Sequence, residues 1–139
     1  MRILKGIEKL AVDANPVLSA IIGGNARSVF LAPEDVAFYT TAFNFKEVEK
    51  YIPLFAVKRN IPPEDLYMAL SMLPLSVCDT EFYKDKINQA KKLIEKRDHD
   101  DVHLLALALK FNCPIWSNDK DFGGLGIRVY GTMELIRDK

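Results

Sequence analysis

The ten residues from Val102 to Phe111 are apolar except for His103 and Lys110. A helix that is hydrophobic on nearly every side has to be enclosed on nearly every side, so this segment is predicted to be a central helix. What encloses it is legible elsewhere in the chain. Leu10-Ala11-Val12 is a short apolar run that halts at Asp13-Ala14-Asn15-Pro16, where Asn-Pro marks a turn and the proline can open a helix. Val36 to Thr41 is rich in β-branched and aromatic residues and reads as a second strand; Leu75 to Cys78, Pro114 to Ser117 and Arg128 to Tyr130 read as three more. Helical spacing falls between them. Val17, Leu18, Ile21 and Ile22 share one face before Gly23-Gly24, and Ala26 to Leu31 is a short helix. Phe45 to about Asn60 is a longer one that Pro53 is expected to kink or interrupt, and Pro62-Pro63-Glu64-Asp65 opens a helix that stops before Pro74. Thr80 is read as the cap of a helix with Ile87, Ala90 and Ile94 on its buried stripe, and Met133 to Ile136 as a last turn. Strands alternating with helices predict an α/β fold with a mostly parallel sheet covered on both faces. No repeat, low-complexity stretch or linker divides residues 1–139, so a single domain is expected.

At 139 residues a chain buries enough surface to hold a core without disulfides or a structural metal. Cys78 and Cys113 are accordingly read as packed thiols of a reducing compartment. Lys and Arg total 19 and so do Asp and Glu, which excludes a grip on nucleic acid by uniform basic charge and leaves room for a local basic patch. No apolar run approaches the roughly 20 residues of a membrane helix, and Met1 to Glu8 lacks the pattern of a signal peptide, so no membrane association and a cytoplasmic location are expected.

In open parallel sheets, ligands bind beyond the carboxyl ends of the strands. Asp13 follows the first predicted strand, Glu47 and Glu49 lie a turn or more beyond the second, and Asp119 and Asp121 follow the fourth. Asp100 and Asp101 open the apolar helix that leads into that fourth strand. Taken singly, each acid has an ordinary structural explanation: a helix cap, an Asx turn, or the wet side of an amphipathic helix. Taken together, they bring carboxylates from four elements to one edge, where like charges repel and raise each other's pKa. A divalent cation resolves that conflict, and an all-oxygen donor set suits Mg²⁺ or Mn²⁺.

These same residues resemble the PIN-domain ribonucleases, among them the VapC-like toxins. Val12-Asp13-Ala14-Asn15-Pro16-Val17-Leu18-Ser19-Ala20 is similar to that family's opening segment, and Asn44-Phe45-Lys46-Glu47-Val48 to its helical glutamate motif. Asp100-Asp101 through Ala108 resembles the acidic entry to its central helix, and Ser117-Asn118-Asp119-Lys120-Asp121-Phe122 its terminal acidic turn, with Ser117 in place of the usual threonine. The resemblance implies a PIN-like three-layer α/β/α sandwich with a central sheet of four to five strands. It also implies a catalytic set of Asp13, Glu47, Asp101 and Asp119. Asp13, Asp101, Asp119 and Asp121 would be the metal ligands, and Asn15, Ser117 and Asp100 would supply supporting hydrogen bonds. The choice of Asp101 over Asp100 rests on its distance from Ala106 and Ala108, and Glu47 is preferred to Glu49. The activity so implied is Mg²⁺- or Mn²⁺-dependent endoribonucleolytic cleavage leaving a 5′-phosphate and a 3′-hydroxyl. The implied partners are an RNA substrate, an antitoxin protein and a second copy of the chain.

The alternative is a PIN-fold RNA- or protein-binding module with weak or no catalysis, because zero net charge offers phosphate little general attraction. A phosphotransferase or receiver domain fits poorly, since Asp13 is not followed by Asp-x-Thr and the only lysine after the fourth strand is Lys120 within the acidic turn. His99 and His103 stand four apart without further ligands for zinc and are read as capping or solvent-facing. Gly123-Gly124-Leu125-Gly126 lacks the setting of a phosphate loop and is read as a turn. Trp116 and Phe122 are read as core or site walls. Ile22, Val29, Phe30 and Leu54 are read chiefly as core, with a docking groove as the second option. Lys84, Lys91, Lys92, Lys96 and Arg97 are expected on a basic face away from the acids.

Overall fold

The computed structural model describes residues 6–32, 35–94, 101–119 and 126–136. The first strand, β1 (Lys9–Val12), has Leu10, Ala11 and Val12 completely buried because it pairs on both sides. It runs into α1 (Ala14–Ile21) and α2 (Ala26–Phe30), then β2 (Ala37–Thr41). There follow α3 (Ala42–Arg59), α4 (Pro63–Met72), β3 (Leu75–Cys78), α5 (Thr80–Tyr83), a 3-10 turn at Lys84–Lys86 and α6 (Ile87–Leu93). The chain ends with α7 (Val102–Phe111), β4 (Ile115–Trp116), β5 (Val129–Tyr130) and α8 (Thr132–Ile136). All strand pairs are parallel and the sheet order is β3-β2-β1-β4-β5.

The side-chain alternation of β1 divides the core into two layers. Leu10 and Val12, with Phe38 and Trp116, pack against α1 to α4 and α8, and the rings of Phe30, Phe38 and Trp116 cluster within 5.9 Å centroid to centroid. Ala11 and Ile115 face the other way, onto α6 and α7. Leu104, Leu105, Ala106 and Leu107 of α7 are at most 1% exposed, so the apolar decamer is the centre of this second layer, as its composition requires.

Several boundaries depart from the sequence-based expectation. α1 begins two residues before Pro16, which sits in the first turn where its missing N–H has no helical partner in any case. Gly23, at φ +88, closes the turn after α1. α3 begins at Ala42, three residues earlier than expected, because the Thr41 hydroxyl caps it by accepting from Asn44 N at 2.9 Å. It runs unbroken through Pro53 to Asn60, whose left-handed φ of 56° ends it. Thr80 is the first residue of α5 and Asp79 holds the cap position, and the expected helix is divided by the 3-10 turn at Lys84–Lys86. Val29 and Phe30 are core, Ile22 is half-buried and Leu54 is exposed. Asp98, His99, Asp100, Lys96, Arg97, Asp121 and Phe122 lie outside the described residues.

Candidate active site

The chain winds from β1 outward to β2 and β3, then returns to the far side of β1 for β4 and β5. The strand order therefore reverses between β1 and β4, which is where an open parallel sheet leaves a crevice at its carboxyl edge. Asp13 follows β1 and Ser117 follows β4, and the two meet there: Ser117 Oγ donates to Asp13 Oδ2 at 2.7 Å. The same serine oxygen accepts from the backbone N–H of Asp119 at 3.0 Å, which fixes the acidic turn to the end of β1. Ser117 is buried.

Asp13 is also the cap of α1. Its Oδ1 accepts from Ala14 N at 2.8 Å and from Asn44 Nδ2 at 3.4 Å. Asn44 is oriented by Thr41, whose hydroxyl donates to Asn44 Oδ1 at 2.6 Å, while the neighbouring Thr40 hydroxyl donates to Val12 O at 2.7 Å. The end of β2 thus holds the end of β1 through side chains as well as through the sheet. Burial pushes the Asp13 carboxyl above its ordinary value; the Ser117 and Ala14 hydrogen bonds pull it down, and the charge of Asp119 pushes it up again.

Glu47 lies three residues beyond Asn44 on α3 and is half-buried, whereas Glu49 is exposed. Asp101 stands at the amino end of α7. A helix that leads into a parallel strand runs opposite to it, so this end of α7 lies at the carboxyl edge of the sheet. His103 fixes it there: its ring stacks on Phe43, 4.6 Å away and 9° from parallel, and its Nδ1 is 2.8 Å from the hydroxyl of the fully buried Tyr83. Asp101 Oδ2 is shielded from solvent. Asn15 is exposed, and the amide that reaches Asp13 is Asn44.

The fit to a cation can be judged from Asp13. Its carboxylate is held by neutral donors, with Asp119 adding negative charge, and among the described residues no lysine or arginine pairs with it. Among the described residues no three His, Cys, Asp or Glu side chains gather closely enough to hold a metal by themselves. Asp13 and Asp119 are thus a pair of oxygen donors, the donor type that a hard cation such as Mg²⁺ takes one or two of alongside waters. Burial pushes the Cys113 thiol up to about 11 and also raises Cys78.

A family model described as PIN domain matches residues 11–138. The chain belongs to the PIN-domain family. Its fold is shared with a solved toxin-antitoxin complex from Klebsiella pneumoniae, at TM-score 0.65 and 17% identity over 88% of this chain and 97% of that one. It is also shared with VapBC2 from Rickettsia felis bound to a DNA fragment from their promoter, at TM-score 0.63 and 14% identity over 88% of this chain and 98% of that one. No curated protein sequence matches the chain. Within this PIN domain, Asn44 and Thr41 are the residues that reading the sequence for acids passed over. Their signal was the spacing Thr41-x-x-Asn44, a helix-cap pattern one turn ahead of Glu47.

Proposed function

We propose that this PIN domain is an Mg²⁺- or Mn²⁺-dependent endoribonuclease that serves as the toxin of a toxin-antitoxin pair. The observation that carries the reading is the half-buried Asp13 carboxylate, set beside Asp119 with neutral donors only. A bound divalent cation would supply the Lewis acidity that activates water and offsets charge on the scissile phosphate. Asp13 and Asp119 would hold that ion together with Asp121, and Asp101 would position the water. Ser117 keeps the Asp13 carboxylate facing the acidic turn, and Asn44 holds its other oxygen. Glu47 accepts the proton of the attacking water as the new P–O bond forms in line with the ribose 3′ oxygen. That oxygen departs and takes a proton from solvent, leaving a 3′-hydroxyl and a 5′-phosphate. An antitoxin partner is proposed from the likeness to the two toxin-antitoxin structures, and a second copy of the chain from the apolar side chains that α3 and α4 leave exposed.

The test is incubation of the pure protein with structured and unstructured RNA in the presence of Mg²⁺, Mn²⁺ or a chelator. Cleavage with either metal, none with chelator, and loss of cleavage in a folded Asp13→Asn variant are expected. Cleavage that survives in Asp13→Asn, or its absence with every metal, overturns the reading; the latter outcome favours a PIN-fold binding module.

A further inference from the structure

Beside the acids, on the first turns of α3, a cavity of about 340 Å³ is lined by Phe43, Lys46, Glu47, Lys50 and Tyr51. Glu47 belongs to both places, so the cavity adjoins the proposed scissile position. The cavity has two features that a water-filled surface dent lacks. Phe43 is 39% exposed yet its ring is held flat against the His103 imidazole, and His103 is in turn tied to buried Tyr83. An exposed phenylalanine is thereby kept as an oriented plate rather than left to pack inward. Lys46 and Lys50, one turn apart on the same helix, are both exposed, and the Lys50 ammonium lies 5.9 Å from the centre of the Tyr51 ring.

Resting on the reading of the acidic edge as an RNA-cleaving centre, we propose that this cavity binds one unpaired nucleotide next to the scissile phosphate. Its base stacks on Phe43 and its flanking phosphates are held by Lys46 and Lys50. An oriented aromatic face combined with cations along one side is the arrangement by which single strands are bound without reading sequence. Paired RNA keeps its bases stacked on one another, so only an unpaired base is free to lie on the Phe43 ring. It also answers how a chain with balanced charge holds its substrate: two local cations and a stacking surface replace a broad basic field.

The experiment measures binding of a fluorescently labelled single-stranded oligoadenylate in chelator, where no cleavage occurs, alongside cleavage of unstructured RNA with metal. Phe43→Ala is expected to weaken binding by about 5- to 150-fold, the range for losing one base stack. Phe43→Leu, which keeps apolar bulk but no ring, should behave like Phe43→Ala, and Phe43→Tyr like the wild type. An abasic oligomer of the same backbone should bind the wild type and Phe43→Ala equally. Lys46→Ala with Lys50→Ala should reduce the slope of log affinity against log salt by about 1.4, for two phosphate contacts on a single strand. Wild-type affinity in Phe43→Leu, or an unchanged salt slope in the double variant, overturns the proposal. If the protein cleaves RNA but Phe43→Ala leaves KM and affinity unchanged, the nucleotide site fails while the nuclease stands. If no RNA is cleaved yet binding depends on the Phe43 ring, the nuclease fails and the nucleotide site stands.

Discussion

Asp13 follows β1, caps α1 with one oxygen and accepts from Ser117 after β4 with the other, so one carboxylate ties three elements together at the candidate site. The proposed metal-binding role would conflict with the structural one, because burial disfavours the charge that a metal ligand requires. A carboxyl whose pKa is raised by folding binds protons more tightly in the folded state. Asp13 therefore contributes most to stability below the ordinary carboxylate range, and that contribution falls as pH rises through its raised folded value. Ser117 moderates the conflict by donating to the ionised form. Ser117→Ala should push the Asp13 carboxyl higher still and leave the Asp119 N–H without its acceptor. The expected loss is about 1.5–3 kcal/mol of stability at neutral pH, the usual worth of a hydrogen bond to a charged group. The acid limb of the cleavage profile should also move to higher pH. Ser117→Thr, which keeps the hydroxyl, should restore both. Thermal melts and pH–rate profiles of the two variants check this; an acid limb that stays in place in Ser117→Ala would show that Ser117 does not tune Asp13.

Among the elements, α3 carries Asn44, Glu47 and the residues that line the aromatic cavity on a single continuous helix. Pro53 sits within it and is exposed. Its ring nitrogen cannot donate to the carbonyl four residues back, at Glu49, and an alanine there can. An interior proline costs about 3 kcal/mol relative to alanine, offset in part by the roughly 0.4–1 kcal/mol that proline gains by restricting the unfolded chain. Pro53→Ala is thus expected to stabilise the protein by about 2–2.6 kcal/mol, read as a higher midpoint in denaturant with an unchanged slope. The sequence pattern of α3 was legible from Phe45 onward because apolar spacing begins there, whereas its true start depends on the Thr41 cap, which has no hydrophobic signature. The division of α5 from α6 was illegible for a different reason. Tyr83 is held by His103 from a helix twenty residues away, and no local pattern carries such a contact. By contrast α7 was legible, since enclosure on nearly every side leaves its mark on all of its residues but His103 and Lys110.

At the level of the whole molecule, the sheet order β3-β2-β1-β4-β5 explains why acids scattered from residue 13 to residue 119 share an edge. Strand existence was readable from the chain; the placement of β4 beside β1 was not, because neighbour choice is decided by which faces two layers of helices cover rather than by any strand's own residues. That placement brings Ser117 to Asp13. The covering of the sheet also leaves apolar side chains outside: Leu54 and Val57 on one stripe of α3, Met68 and Met72 on one stripe of α4, with Val57 85% exposed. With formal net charge zero, two copies meet without long-range repulsion, and a two-fold contact would use the same stripes on both. The protein is therefore expected to be a homodimer through α3 and α4. Light scattering should give twice the 15.8 kDa chain mass for the wild type and a single chain mass for a Val57→Glu, Met72→Glu variant with an unaltered circular dichroism spectrum. A monomeric wild type overturns this expectation. A variant that stays dimeric moves the contact to another face, since two carboxylates buried against their own copies across a two-fold axis would separate the pair.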